Sequence, residues 1–318
     1  MSRSEWIPVC CVLLIICSTG NTLPADPLPA SLVSASAMFG EAEATDWDES
    51  GRVGFMPCPT PGTLFRWSSH PHVTGGPQLN APLETDRPDF TEASVTVGRD
   101  VAQIEFGYTY TRDQDSETRE QSFGEPLLRY GILANWLELR MAAFPVRSQT
   151  GTGSGTSTES GFEDLYFGMK IGLTPQAGWL PEMAVMPQIN VPSGNDALSS
   201  SGIGPGACWI YGWELSDEWS TAGQTQWNRA FEDAGDSYLE ISQAWVVSRA
   251  LSDELGAYLE WYALWPSGAL DVRAEHYING GFTFLCSNDI QLDIRAGTGL
   301  TDASDDWFVG TGLSVRFR

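Results

Sequence analysis

From residue 101 to the C-terminus, apolar and polar positions alternate with a period of two. The last run shows it most plainly. Trp307, Val309, Thr311, Leu313, Val315 and Phe317 share one parity, and Phe308, Gly310, Gly312, Ser314, Arg316 and Arg318 share the other. A β-strand presents two such sets on opposite faces. The pattern recurs in about twelve runs, at 101–111, 122–133, 136–147, 161–174, 181–192, 206–215, 219–231, 237–251, 255–266, 276–286, 290–301 and 307–318, each close to the ~9–11 residues of a membrane-spanning strand. No helical period accompanies them to cover the apolar faces. Lipid can cover them, provided the sheet closes and leaves no edge.

The connections carry the same message. Asn135, Ser216-Asp217-Glu218, Ser252-Asp253-Glu254 and Ser287-Asn288-Asp289 read as tight turns, with 175–180 slightly longer. Longer polar loops are expected at 112–121, 148–160, 193–205, 232–236, 267–275 and 302–306, in strict alternation with the turns. Outer-membrane barrels sort their connections in this way. Within the runs, Leu165, Phe167, Met169, Ile171 and Leu173 oppose Asp164, Tyr166, Gly168, Lys170 and Gly172, and Leu259, Trp261 and Trp265 oppose Tyr258, Glu260 and Tyr262. The run at 219–231, with Gln224, Gln226 and Asn228 on one parity, gives no clear assignment of faces. Aromatic residues gather at run ends. Trp136, Trp179, Trp213, Trp219 and Phe317 would form one girdle, and Phe144, Trp209, Phe231, Trp265, Tyr277 and Trp307 the other.

The fold class that follows is all-β: an antiparallel outer-membrane β-barrel of about 12 strands. Composition agrees, since charged residues make up only 18% of the chain, against ~25% in ordinary soluble proteins. The N-terminus, with Arg3, an apolar run from Trp6 to Cys17, and Ser18 and Gly20, reads as a secretory signal peptide. A lipoprotein signal at Cys17 is the alternative, disfavoured by the bulky Ile16 before it. The expected organisation is a signal peptide at 1–20, a flexible periplasmic linker at 21–83, rich in Pro, Ser, Ala and Gly, and the barrel at 84–318. A net charge of -24 argues against nucleic acid as a partner. Cys58, Cys208 and Cys286 remain beyond the signal, without metal-ligand spacing, and the topology separates the last two.

Residues 84–92 read Glu-Thr-Asp-Arg-Pro-Asp-Phe-Thr-Glu and lead into Gln103-Ile104-Glu105-Phe106-Gly107-Tyr108. With Leu127-Leu128-Arg129-Tyr130-Gly131, Glu138-Leu139-Arg140, Gly161-Phe162-Glu163-Asp164-Leu165 and the closing Phe308 to Ser314, this resembles the family of phenol-degradation meta-pathway proteins, also labelled outer-membrane transporters. The likeness covers roughly residues 84–318 and is most specific in its first nine residues. It implies an outer-membrane barrel that passes small hydrophobic or aromatic molecules, with outer-membrane lipid and such solutes as its partners and no cofactor. One departure is the long acidic, Pro-rich stretch that precedes the motif.

Asp86, Arg87, Pro88 and Asp89 precede the first strand, and Pro88 holds the chain extended there. They are candidates for a segment tucked into the periplasmic mouth, with Arg87 paired to Glu138 or Glu105; the alternative is a simple lead-in. The candidate lumen set is Glu105, Arg129, Glu138, Arg140, Asp164, Lys170, Glu240, Glu260, Asp293, Arg295 and Arg316. It is either a polar path for solutes or a ladder of pairs bracing a narrow wall. A catalytic reading, lipid hydrolysis with His276 near Ser267, lacks a nucleophile motif; Gly151-Thr152-Gly153-Ser154-Gly155 is not a nucleophile elbow. His70 and His72 have no partner ligands, and the loop acids Asp302, Asp305 and Asp306 read as solvated before they read as a cation site. A structural barrel whose loops bind a partner is the remaining alternative.

Overall fold

The computed structural model describes residues 62–65, 76–114, 116–152, 155–196, 198–232 and 234–318. Its strands are β1 (Ala102–Asp113), β2 (Thr118–Gly131), β3 (Leu137–Ala142), β4 (Pro145–Thr152), β5 (Gly155–Phe162), β6 (Leu165–Thr174), β7 (Glu182–Val191), β8 (Gly204–Glu214), β9 (Trp219–Phe231), β10 (Ser237–Ala250), β11 (Leu255–Ser267), β12 (Glu275–Ser287), β13 (Ile290–Gly299) and β14 (Trp307–Phe317). Every named pairing is antiparallel. β1 pairs with β14 from Ala102↔Phe317 to Arg112↔Trp307, which closes the sheet. β3 and β4 are one wall strand interrupted at 143–144, because β2 pairs with both. β5 and β6 are likewise one strand interrupted at 163–164. The barrel therefore has twelve wall strands.

Side-chain burial follows the parity of the sequence. Glu105, Arg129, Glu138, Lys170, Glu260 and Asp293 are buried inside, while Phe106, Leu139, Phe167, Leu259, Phe282 and Ile294 are exposed outside. A charged interior under an apolar exterior inverts the soluble pattern, and only hydrocarbon outside the wall makes it stable. β9 now has its faces. Gln224 lies opposite Ile210 and Ala244, both fully buried, so Ala222, Gln224, Gln226 and Asn228 point inward. Its outward set lacks a clear apolar pattern because Thr221 and Thr225 are polar; their hydroxyls donate to the Val246 carbonyl and to Gln243.

Three expectations change. The stretch near 148–160 is largely strand: β4 and β5 continue as a ribbon paired from Pro145↔Phe162 to Thr152↔Gly155. Both faces of such a ribbon meet water beyond the membrane, so its sequence lacks the apolar parity that marks the wall. β2 likewise begins at Thr118, leaving a four-residue connection after β1, so connection lengths alternate less strictly than the sequence implies. Tyr277 leaves the expected outer girdle and faces the lumen, because it shares parity with the buried Asn279. Cys208 is buried on the inner face and Cys286 lies on the outer, so the wall itself separates them; Cys58 and residues 1–61 lie outside the described residues. Parts of the expected linker lie against the barrel. Leu64 and Phe65 donate backbone hydrogen bonds to Gly172 and Leu173, and Leu83 donates to Asn288.

Candidate functional site

The segment 83–97 runs through the interior and touches strands all round the wall. Asp86 is its anchor. Its Oδ2 receives Arg140 Nη1 at 2.6 Å and Arg129 Nη1 at 3.0 Å, and its Oδ1 receives Lys170 Nζ at 2.8 Å. Arg129 also pairs with Glu138 at 2.8 Å and Glu105 at 3.1 Å, and Arg140 with Glu92 at 2.7 Å. The cluster so formed includes the chain's single lysine. Each buried charge there has an opposite neighbour; without one, burial costs several kcal/mol.

Arg87 turns the other way. Its partners are Glu125 at 2.5 Å and Asp293 at 3.4 Å, with the Thr311 carbonyl at 3.2 Å, rather than Glu138 or Glu105. Those two carboxylates are already neutralised by Arg129, and consecutive residues of an extended chain point to opposite sides. Glu125 escapes sequence reading because of a bulge. The register of β2 on β1 shifts between Glu105 and Gly107, and Glu125 takes a left-handed backbone, φ 34°. Glu125 shares parity with the inward Arg129 on one side and with the outward Phe123 on the other, so alternation leaves its face open, and the irregularity ahead of Pro126 turns it into the lumen.

Further along, Glu260 accepts the Phe90 and Thr91 amides, each at 2.7 Å, and the Thr91 hydroxyl at 2.6 Å. Gln224 accepts the Glu92 amide and donates to the Phe90 carbonyl, Glu182 accepts Ser94 at 3.2 Å, and Glu138 accepts the Val97 amide at 2.8 Å. Phe90 stacks on Tyr262 at 4.5 Å, Tyr262 on Tyr277 at 4.8 Å, and Tyr277 meets Phe308 edge-on at 6.2 Å. Arg295 lies 5.5 Å over the Phe308 ring and donates to the Pro88 carbonyl. The result is an aromatic band on an otherwise polar wall, continued onto the segment by Phe90. Single-parity reading hid it, since Tyr262, Tyr277 and Phe308 belong to three different strands. Beside the segment, at the end of the barrel carrying the turns 215–218 and 251–254, lies a cavity of about 700 Å³. Asp89 and Glu84 line it from the segment; small wall residues such as Gly212, Ala222, Ser248 and Gly256 line it opposite.

The remaining candidates fall elsewhere. Glu240 sits opposite Asn228 on the wall. Asp164 lies in the break between β5 and β6, where it accepts the Ser193, Gly194 and Ser200 amides and the Ser199 hydroxyl, tying down the loop after β7. Arg316 is at the rim, bonded to Asp289 and the Ala81 carbonyl. His276 stands on the outer face between Trp261 and Trp265, with ring centroids 5.9 and 5.6 Å away. Asp302, Asp305 and Asp306 lie in the loop before β14, where Asp306 accepts the Gln114 amide at 2.7 Å. Among the described residues no group of three or more His, Cys, Asp or Glu is arranged to hold a metal. His70 and His72 lie outside them.

A closed twelve-strand wall with an apolar exterior, a charged interior and a segment inside defines an outer-membrane β-barrel. The chain belongs to the family described as Putative MetA-pathway of phenol degradation, whose model matches residues 85–317. Among solved structures it is similar to the COG4313 outer membrane channel from Pseudomonas putida F1, with a TM-score of 0.56 and 15% identity over 74% of this chain and 100% of that one. It also matches the KdgM porin at a TM-score of 0.44 and 8% identity, over 68% and 99% of the two chains. No curated protein matches.

Proposed function

We propose that the barrel passes small hydrophobic or aromatic molecules across the outer membrane by diffusion, with the segment 83–97 setting the aperture. The aromatic band carries this reading. Phe90 stacks on Tyr262 and Tyr262 on Tyr277, which meets Phe308 edge-on along the inner wall, and such rings offer planar apolar solutes a surface that sugars and ions do not match. The cavity beside the segment gives such a solute room at the short-turn end. A closed, braced barrel is the second reading, favoured by the density of ion pairs that Asp86 and Arg87 make with the wall.

Proteoliposome flux separates the two. Vesicles holding the full chain should take up benzoate-sized aromatic solutes several-fold faster than empty vesicles and should pass sugars of equal size poorly. Tyr262→Ala with Phe308→Ala should lower aromatic flux and leave the residual ion conductance. Equal permeability of loaded and empty vesicles to every solute overturns transport and leaves the braced barrel.

A further inference from the structure

Outside the lumen, one part of the exterior carries positive charge with no acidic partner among the described residues. Cross-strand registers align Trp307, Arg112, Arg119 and Gln149 in one row and Val309, Tyr110, Gln121 and Arg147 in the next. These rows share the outward parity of the exposed Phe123, whereas Gly107 and Val146, one residue out of step, are buried inside. Arg112 and Arg119 face each other directly. Like charges in that relation destabilise a sheet. None of the three arginines has a carboxylate of the described residues within ion-pair distance, although Arg129, Arg140 and Lys170 inside the barrel are each paired. A chain of net charge -24 has no shortage of carboxylates, so three cations on three neighbouring strands with no acidic partner among the described residues suit an anion from outside the chain.

Their level on the wall says which anion. They stand at the far end of β1 and the start of β2, away from the short turns. Tyr110 and Trp307 pack at 5.4 Å, Tyr108 and Phe123 at 5.4 Å, and Tyr108 donates to Gln121 at 3.2 Å. Amphipathic rings of this kind mark the boundary between hydrocarbon and headgroups. Guanidinium groups just beyond that boundary match phosphate, which they bind with two parallel hydrogen bonds. We propose that Arg112, Arg119 and Arg147 form a site for phosphate-bearing headgroups of the outer-leaflet lipid, with acyl chains lying on the aromatic face below.

Binding of bisphosphorylated lipid A to the purified full chain in neutral detergent, measured by native mass spectrometry, tests the site. The parent should bind it at least tenfold more tightly than dephosphorylated lipid A. The combined variant R112Q/R119Q/R147Q should bind it roughly a hundredfold more weakly than the parent, at ~1 kcal/mol for each basic side chain near a lipid surface. R249Q removes an arginine paired with Glu218 near the opposite rim and should leave binding unchanged. Heat-dependent gel migration reports folding; should the triple variant not fold, R119Q and R147Q, at exposed positions, should each weaken binding about fivefold. Parent-like affinity in the arginine variants, or equal binding of the dephosphorylated lipid, overturns the proposal. Displacement of lipid A by millimolar inorganic phosphate also overturns it, in favour of a free-phosphate site.

Discussion

Arg87 reaches its two carboxylates because the wall has no side chains beneath it. Gly107 and Gly312 are opposite each other on β1 and β14, and a Cβ on either would collide with the Arg87 guanidinium. Gly312→Ala is therefore expected to push Arg87 off Asp293 and to destabilise the folded barrel by about 1–3 kcal/mol, the usual range for overpacking a tight interior. Gly172→Ala supplies the control, since its new methyl group would meet nothing closer than 3.8 Å. Urea titration of both variants in lipid vesicles measures the difference; equal midpoints would falsify the slot. The same pair shows where residue-level reading stops. The motif 86–89 declares that Arg87 matters, but its partners Glu125 and Asp293 lie 38 and 206 positions away. Charge and parity put Asp293 among the lumen candidates, whereas Glu125 depends on a bulge that no alternation reveals.

At the scale of elements, the wall strands were legible, whereas the ribbon beyond them and the course of the segment inside were not. Each lipid-facing strand must repeat apolar residues every second position, so sequence alone locates β14 at 307–318, within a residue of the observed Trp307–Phe317. Neither the β4–β5 ribbon nor the segment 83–97 is under that constraint. The ribbon is wet on both faces, and the segment satisfies its polar groups with seven or more different strands in place of a regular ladder. Loops answer to electrostatics instead. In the loop before β14, burial first, then Glu275, Asp113 and Asp306, push the Asp305 carboxyl up from its ordinary 3.8 to about 6. A carboxyl raised in this way binds its proton more tightly in the folded loop than in the unfolded chain. Stability therefore grows as pH falls through about 6 and levels off below 3.8, and the charged form weakens the loop at neutral pH. Backbone amides at 300–306, corrected for intrinsic exchange rates, should be better protected from hydrogen exchange at pH 5 than at pH 7.5. Asp305→Asn, which carries no charge at either pH, should remove most of that difference. Greater protection at pH 7.5 in the parent would rule out the electrostatic account.

For the whole molecule, the decisive feature is that one sheet separates two solvents of opposite kind, so a substitution's effect depends on which way the pleat turns it. Ser248 and Leu259 make the comparison close to ideal. In the β10–β11 pairing, Leu259 lies opposite Val247 and Ser248 opposite Tyr258, one step along the same two strands. Leu259 is 59% exposed on the outside, whereas Ser248 lines the 700 Å³ cavity inside. Leu259→Arg sets a charge in hydrocarbon and should cost ~2–4 kcal/mol if its level is near the bilayer midplane. Ser248→Arg sets the same charge in an aqueous cavity whose nearby walls include Glu84 and Asp89. It should cost little stability, and by filling the vestibule it should slow whatever flux the parent supports. Unfolding in vesicles measures the first effect and solute flux the second. The two arginines should thus act on different observables, one on folding and one on passage. If both changed stability alike, the apolar exterior would not be facing lipid, and a barrel whose charged interior is stabilised from within by Asp86 and Arg87 would lose its reason to have its greasy side out.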